Sequence, residues 1–578
     1  MSHTIGGIEV DFVPSNKDFY HWWVEFNPST QVLPAGWKRE EGRLALREAL
    51  IWDKDVPVPM RDGTILRADI FRPASQKDKP LPAILAWSPY GKTDALSGLE
   101  KFEAPDPAEW CPRGYAVVQP DARGAYHSEG DVFMVGTQEG RDGHDTIEWI
   151  AKQPWSNEAV AMAGNSWLAM AQWFIAAEKP PHLKAFAPWE GVGDFYRETI
   201  CRGGIPNPAF WDVLCQDVNG LNLREDVATM AEKYPLWNAY WEDKKPKLAN
   251  IDIPMYALAS YSSQLHTEGS IRGWKYASSK QKWLRIHATH EWHDIYQPHA
   301  NDDMQRFLDH FLLGKDNGWE QTPKVRVSLL RYNRPPISFR PEDDYPPKRV
   351  QYQNFLLNAN DGSLNLDSAT ALSQSPATTS YQSDTWDDDG AHFTHTFDKY
   401  TELIGSSKAT LFMSCNDLDD LDVYIVLRKL DHNGKALLNY NIPKNDWNVG
   451  VTEDDIPDFN TYKYVGPSGR LRASKRALGI EPGLTEEQNR SKTPAELWFP
   501  HDKSDKVPRG EVVKLEIPIW PGGIAFEAGE SIRLEIKGHD PLFPEHAPLY
   551  RLPKNQNKGR HVVHTGGEHR ASLLLPLA

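Results

Sequence analysis

From Val56 onward, short apolar runs alternate with amphipathic stretches along the chain. "VPVPMRDGTILRADIFRP" reads as two strands joined at Asp62-Gly63, because Asp-Gly between alternating apolar residues suits a tight hairpin turn. "LPAILAWSPYG" and "RGYAVVQPDARG" are apolar runs closed by turn residues, as buried strands are. "QEGRDGHDTIEWIAKQP" puts Ile147 and Ile150 on one helical face. "AVAMAG" predicts the next strand and "SWLAMAQWFIAAE" the helix behind it. "LKAFAPWEG", "PMYALASY" and "KWLRIHATHEW" supply three more strand-like runs. Strands apolar on both faces, alternating with helices, predict a mostly parallel sheet covered by helices, an α/β domain.

After about residue 323 the pattern changes. "KVRVSLL", "ATLFMSC", "LDVYIVLRKL", "VVKLEIPIW" and "SIRLEIKG" are β-rich runs separated by Gly, Asp, Asn and Pro clusters, which predict an all-β sandwich. The organisation expected is an aromatic, irregular extension over 1–50, an α/β domain over 51–322 and a β-sandwich over 323–578. A helical, Trp-bearing stretch over about 200–250 reads as a cap over a site. Residues 440–510 read as a long polar loop.

Composition narrows the function. With 578 residues the chain is too long for one core, and 40% hydrophobic with 25% charged residues is globular. The net charge of −16 argues against nucleic acid or an anionic membrane as partner, since phosphate affinity comes from Lys and Arg. The N-terminus lacks a basic start followed by an apolar core, and no run reaches membrane-span length, so a cytoplasmic protein is expected. Cys111, Cys201, Cys215 and Cys415 form no CxxC pair, as suits reduced thiols. The 22 tryptophans could line an apolar pocket or fill large cores.

Candidate chemistry centres on "AVAMAGNSWLA". A strand, then Gly164-Asn165-Ser166, then a helix is the context of a nucleophile elbow, where the serine oxygen stands at a helix N-terminus. Serine is also an ordinary helix cap. The usual second glycine is absent, because Leu168 stands there.

"VPMRDGTILRADIFRP", "SPYGK", "DARGAYHSEGD", "GHDTIEWIAKQPWSN", "AGNSWLA" and, further on, "DLDDLDVYIVLRKLDHNGK", "GRLRAS" and "FEAGESIRLEI" resemble the cocaine esterase / X-Pro dipeptidyl-peptidase (CocE/NonD) group of α/β-hydrolases. The resemblance runs over about 50–578 in unbroken order. It implies an α/β-hydrolase domain with a helical cap and a C-terminal jelly roll, and a serine hydrolase that cleaves an ester or amide through an acyl-enzyme. It makes Ser166 the nucleophile, with Tyr90 of "SPYGK" and the Trp167 backbone N–H as oxyanion donors.

The likeness breaks at the acid. The family has Gly-Trp-Tyr-Asp where this chain reads "LASYSSQLHTEG", so Ser262 stands in place of Asp. Glu190, in "APWEG", is the preferred replacement, with Asp194, Glu268 and Asp294 as alternatives. The base is sought among His287, His290 and His293 and assigned to His290, in the loop expected after the last strand. His266 is assigned to substrate contact. No cofactor or metal is expected, and the partners expected are a small-molecule substrate and, in a homodimer, a second copy of the chain. An acyltransferase or cyclase using the same acyl-enzyme, and a lyase or isomerase on the same fold, are the competing readings.

Overall fold

The computed structural model describes residues 3–15, 25–93, 99, 101–216, 218–332, 334–367, 374–545 and 555–578; residues 16–24 of the aromatic lead-in lie outside them. Eleven strands form the sheet of the first domain. In chain order, with helices interleaved, they are β1 (Ser29–Leu33), β2 (Leu50–Pro59), β3 (Ile65–Pro73), β4 (Leu81–Leu85), β5 (Ala116–Asp121), helix α1 (Thr137–Ala151), β6 (Ser156–Gly164), α2 (Trp167–Ala177), β7 (Leu183–Pro188), β8 (Met255–Ser260), α3 (Thr267–Tyr276), β9 (Lys282–His287), α4 (Pro298–Leu313), β10 (Val325–Leu329) and β11 (Ile337–Glu342). Their spatial order is β11-β10-β9-β8-β7-β6-β4-β5-β3-β2-β1. The six neighbour pairs from β10 to β5 are all parallel, and the pairs at both edges are antiparallel.

The hairpin expected at Asp62-Gly63 joins β2 and β3, with Gly63 at φ 87°. Strands β4 to β9 are almost wholly buried, because helices cover both faces. Two strands pair across the expected boundaries. Ser29–Leu33 pairs with Leu50–Lys54, so part of the N-terminal extension is an edge strand of the sheet. "KVRVSLL" pairs Val325 with Leu284 in parallel, so it extends this sheet rather than opening the β domain. A β-branched run can join any open edge, and β9 offers one there.

The cap contains the short helices Ala209–Gln216, Val227–Lys233 and Ala239–Asp243. Its strand Leu223–Glu225 pairs with Phe12–Pro14 of the N-terminal segment. From Gln351 to Leu577 the described chain is mainly β and mostly antiparallel, with a short helix at Glu486–Arg490. Its longest pairing runs from Thr401↔Phe526 to Met413↔Val513, with an irregularity between Gly405 and Ser407. The segment 440–510 has only short elements but lies against the α/β domain. Arg197 donates to the carbonyls of Phe499 and Pro500, and Arg272 and Lys275 pair with Glu481 and Glu496. Trp87, Trp110, Trp167, Trp173, Trp211, Trp241, Trp283 and Trp319 are fully buried, so much of the tryptophan fills cores.

A buried charge cluster fastens the loop after β4. Lys92 Nζ lies 2.8 Å from Asp55 and 3.4 Å from Asp121, and Asp69 adds its charge nearby. Lys101 Nζ donates to the carbonyls of Ser88 (2.6 Å) and Pro120 (2.5 Å). Burial alone would strip the charge from Lys92, but the three carboxylates hold it protonated, with its pKa raised. Lys92→Met should leave those carboxylates uncompensated and lower stability by about 3–5 kcal/mol, read as a fall in the denaturation midpoint. An unchanged midpoint would show that the cluster carries no net load.

Candidate active site

Strand β6 ends at Gly164, and Ser166 turns the chain into α2 at φ 55°, ψ −118°. That region is costly for a residue with a Cβ, so the neighbours must hold it. The Ser166 N–H donates to the Glu190 carbonyl at 2.7 Å, and Glu190, just past β7, is itself at φ 96°. A Cβ on Gly164 would come within 2.4 Å of the Leu168 side chain, which explains the first glycine of the motif. The missing second glycine is replaced from another strand: a Cβ on Gly191 would meet Ala169 Cβ at 2.8 Å and Met170 N at 2.9 Å. Close approach of α2 to the sheet therefore rests on Gly191, and Leu168 is fully buried. The Ser166 hydroxyl makes no capping hydrogen bond.

Ser166 opens into a cavity of about 230 Å³ together with Tyr90, Phe102, Glu103, His266, His290, Glu291 and Trp292. Phe210 and Leu214 of the cap and Thr461 and Glu545 of the β domain close it, so it lies where the domains meet. Trp292 is its one tryptophan among the described residues. The Tyr90 ring packs edge-on against Trp167 at 5.9 Å. The Trp167 indole is held in turn by Glu139 of α1, whose Oε1 accepts from Trp167 and Trp87 at 2.9 Å each. Burial pushes the Glu139 carboxyl up to about 7 despite those two bonds.

Glu190 and His290, assigned from the sequence as acid and base, do not pair. Glu190 Oε1 is 2.5 Å from His287 Nε2, and its Oε2 accepts from the Ser263 hydroxyl. His290 Nδ1 accepts from the Trp292 N–H at 3.4 Å, and its Nε2 lies 3.2 Å from Glu291 Oε2. Nδ1 of His290 is thereby engaged, while Nε2 faces Glu291 Oε2 without a hydrogen bond. His266 differs: its Nδ1 is 3.5 Å from Glu291 Oε1, an ion-pair rather than a hydrogen-bond contact, and neither buried ring nitrogen has a hydrogen-bond partner among the described residues. Burial opposes a charge on His266, but the adjacent Glu291 carboxylate, aided by the charges of Glu190 and Glu103, raises its pKa. For His290 burial dominates and its pKa is lowered. Burial would raise Glu291, but the two imidazoles hold it well below the usual carboxylate range.

The remaining candidates have structural partners. His293 pairs with Asp446 at 2.9 Å, Asp194 with Arg197 at 3.0 Å, and Asp294 with Arg285 through both carboxylate oxygens. Glu268 lies against Arg272 at 4.0 Å. Ser262, standing where the family has Asp, makes contacts of 3.0 Å to the Ser260 hydroxyl and 3.3 Å to the Thr289 carbonyl, and so ties the loops after β8 and β9 together.

Sequence reasoning missed Glu103, Glu291 and Glu545. Glu103 Oε1 accepts from Asn165, the residue before the nucleophile candidate, at 2.9 Å and from the Trp292 indole at 2.7 Å. Burial pushes its carboxyl up to about 7 and that of Glu545 up to about 8. No local pattern marks Glu103 or Glu545. Glu291 was adjacent to the favoured histidine and could have been weighed. Glu190, His266 and Glu291 each present a ligand atom within 4.8 Å of the other two, enough to surround a cation. Both Glu190 oxygens already accept hydrogen bonds, however, so that trio is built first as a hydrogen-bonded array. Among the described residues no helix is long and apolar enough to cross a membrane, and all four cysteines are buried free thiols.

A serine on a strained strand-to-helix turn, over a mostly parallel sheet and beside a histidine backed by a carboxylate, defines the α/β-hydrolase class of serine hydrolases. The family profile of X-Pro dipeptidyl-peptidases (S15 family) matches residues 62–293, and that of their C-terminal non-catalytic domain matches 317–574. The chain belongs to this CocE/NonD, X-Pro dipeptidyl-peptidase-like family of serine hydrolases. A CocE/NonD family hydrolase from Staphylococcus aureus superposes with a TM-score of 0.84 at 30% identity, covering 96% of this chain and 97% of that one. Cocaine esterase of Rhodococcus sp. (strain MB1 Bresler) is 38% identical over 143 residues, about a quarter of each chain. An α-amino acid ester hydrolase shares the fold, with TM-score 0.67 at 16% identity over 92% of this chain and 97% of that one.

Gly191→Val should force the loop after β7 away from α2, costing about 1–3 kcal/mol of stability and lowering kcat because the serine moves with it. A variant as stable and active as the parent would refute the role given to Gly191.

Proposed function

We propose that the chain hydrolyses esters of small, mainly apolar acyl groups through an acyl-enzyme on Ser166, with His266 and Glu291 as the proton relay. One observation carries this reading: in the cavity shared with Ser166, His266 has a carboxylate oxygen 3.5 Å from Nδ1 and an Nε2 without a partner, whereas His290 has Nδ1 on the Trp292 N–H and Nε2 turned to Glu291. A general base needs that arrangement, one nitrogen oriented by a carboxylate and the other holding a free lone pair toward the nucleophile.

Ser166 Oγ attacks the carbonyl carbon while its proton passes to His266 Nε2. Charge develops on the carbonyl oxygen, and the Trp167 backbone N–H and the Tyr90 hydroxyl receive it as hydrogen-bond donors. Glu291 stabilises the imidazolium. The intermediate collapses, the C–O bond to the alcohol breaks, and the alcohol leaves with the proton from His266. Water then attacks the acyl-enzyme, giving its proton to His266, and the acid is released as Ser166 regains its hydrogen. Glu190 is one step removed: it holds the Ser166 turn through its carbonyl and adds charge near His266. The relay is drawn from strand ends in a reversed sense relative to the family pattern, with histidine after β8 and carboxylate after β9.

A fluorophosphonate should label Ser166, and Ser166→Ala should abolish both labelling and hydrolysis of 4-nitrophenyl butyrate. His266→Ala should lower kcat by about 1000-fold or more, whereas His290→Gln should cost far less. Equal losses, or a larger one at His290, would return the base to His290.

The pH profile supplies a second test. Only neutral His266 accepts a proton, and its pKa is raised, so the acid limb of kcat/KM should lie above the ordinary histidine value of about 6.5. Glu291→Gln removes the charge that raises it. Burial then dominates, the limb should move to lower pH, and kcat should fall. A limb that stays in place would exclude Glu291 as the partner.

A further inference from the structure

Beside the catalytic cavity lies a second one of about 160 Å³, and the two share Phe210, Leu265 and Glu545 as common walls. Its floor is Arg202, only 6% exposed. The guanidinium lies flat on the Trp520 ring, with Cζ 3.5 Å from the centroid, and Nη2 donates to the Ser468 carbonyl at 2.5 Å. Among the described residues no carboxylate comes within 4.0 Å of it.

An arginine buried without a counter-ion is expensive, and chains normally supply a carboxylate partner. The acids around this cavity do not serve. Asp540 is committed to Arg470 at 3.0 Å. Glu198, which also lines the cavity, accepts from the Gly193 N–H at 2.6 Å and lies 3.5 Å from Arg272. Burial pushes the carboxyls of Glu198 and Glu545 up to about 8, so neither carries a full negative charge at neutral pH. Burial, with the charge of Arg470, also pushes the Arg202 guanidinium down, the direction expected of a buried cation that lacks a counter-ion.

We infer that this second cavity is an anion subsite, in which Arg202, stacked on Trp520, receives a carboxylate carried by the substrate at the end remote from the scissile ester. The planar fork of a guanidinium matches a carboxylate, and stacking pre-orders it at little entropic cost. The inference rests on the ester-hydrolase reading above and adds a substrate class to it: esters of which the acyl or the alcohol part bears a free carboxylate.

Two matched pairs test it on the full chain: 4-nitrophenyl hemiadipate against 4-nitrophenyl hexanoate for the acyl side, and 4-acetoxybenzoate against its methyl ester for the alcohol side. In at least one pair the anionic member should have the higher kcat/KM by about 10-fold or more, the size expected of a charge-assisted hydrogen bond. Arg202→Gln should erase that preference mainly through KM and leave the neutral member unchanged; Trp520→Leu should weaken it in the same direction. No preference in either pair with the unmodified protein would overturn the inference, and so would an Arg202→Gln effect of equal size on both members. The ester-hydrolase reading fails by a different result, the absence of Ser166-dependent hydrolysis of any of the four esters.

Discussion

The structure depends on one short backbone hydrogen bond, from the Ser166 N–H to the Glu190 carbonyl. It joins two chain segments that both leave the common backbone regions, at φ 55° and 96°, immediately beyond the ends of neighbouring parallel strands. Neither conformation is stable in isolation, and each is held by the other. Gly164 and Gly191 let the helix come close enough for the bond to form. The energy stored in that turn is offset by the sheet, whose strands behind it are buried on both faces.

The same clasp decides where charge sits. While the Glu190 carbonyl holds the serine turn, its carboxylate meets His287 and Ser263. Glu291 is left to face two imidazoles, and their unequal surroundings separate them. His290 caps its own short helix through Nδ1, while neither ring nitrogen of His266 has a hydrogen-bond partner among the described residues. Ser262, which occupies the family's acid position, has become a tie between loops. A lost catalytic carboxylate therefore need not mean lost chemistry, since the charge can return from the neighbouring strand end.

The β domain takes part in the site rather than merely accompanying it. Asn441 accepts the His290 N–H at 2.8 Å, Thr461 and Glu545 line the catalytic cavity, and Trp520 carries Arg202. The long polar segment 440–510 supplies two of those contacts, which explains how so irregular a stretch keeps a defined path: its order is borrowed from the α/β domain through buried ion pairs and arginine-to-carbonyl bonds.

Strand and helix positions, the hairpin at Asp62-Gly63 and the serine elbow were legible in the sequence because each depends on local periodicity, turn chemistry or a contiguous motif. The partner proposed for Ser166 was not. Glu190, His266, His290 and Glu291 come from loops after three different strands, and which atoms meet is set by the register of β7, β8 and β9, not by spacing along the chain. Glu103 and Glu545 sit in stretches without pattern and acquire meaning only from burial beside the cavity. That Val325–Leu329 would join the first sheet was not legible for a related reason, since a β-branched run specifies a strand but not the sheet that will accept it. The sequence by itself determined the class of fold and the serine; the tertiary structure alone decided which histidine and carboxylate stand near it, because electrostatic partners are chosen by distances across the sheet.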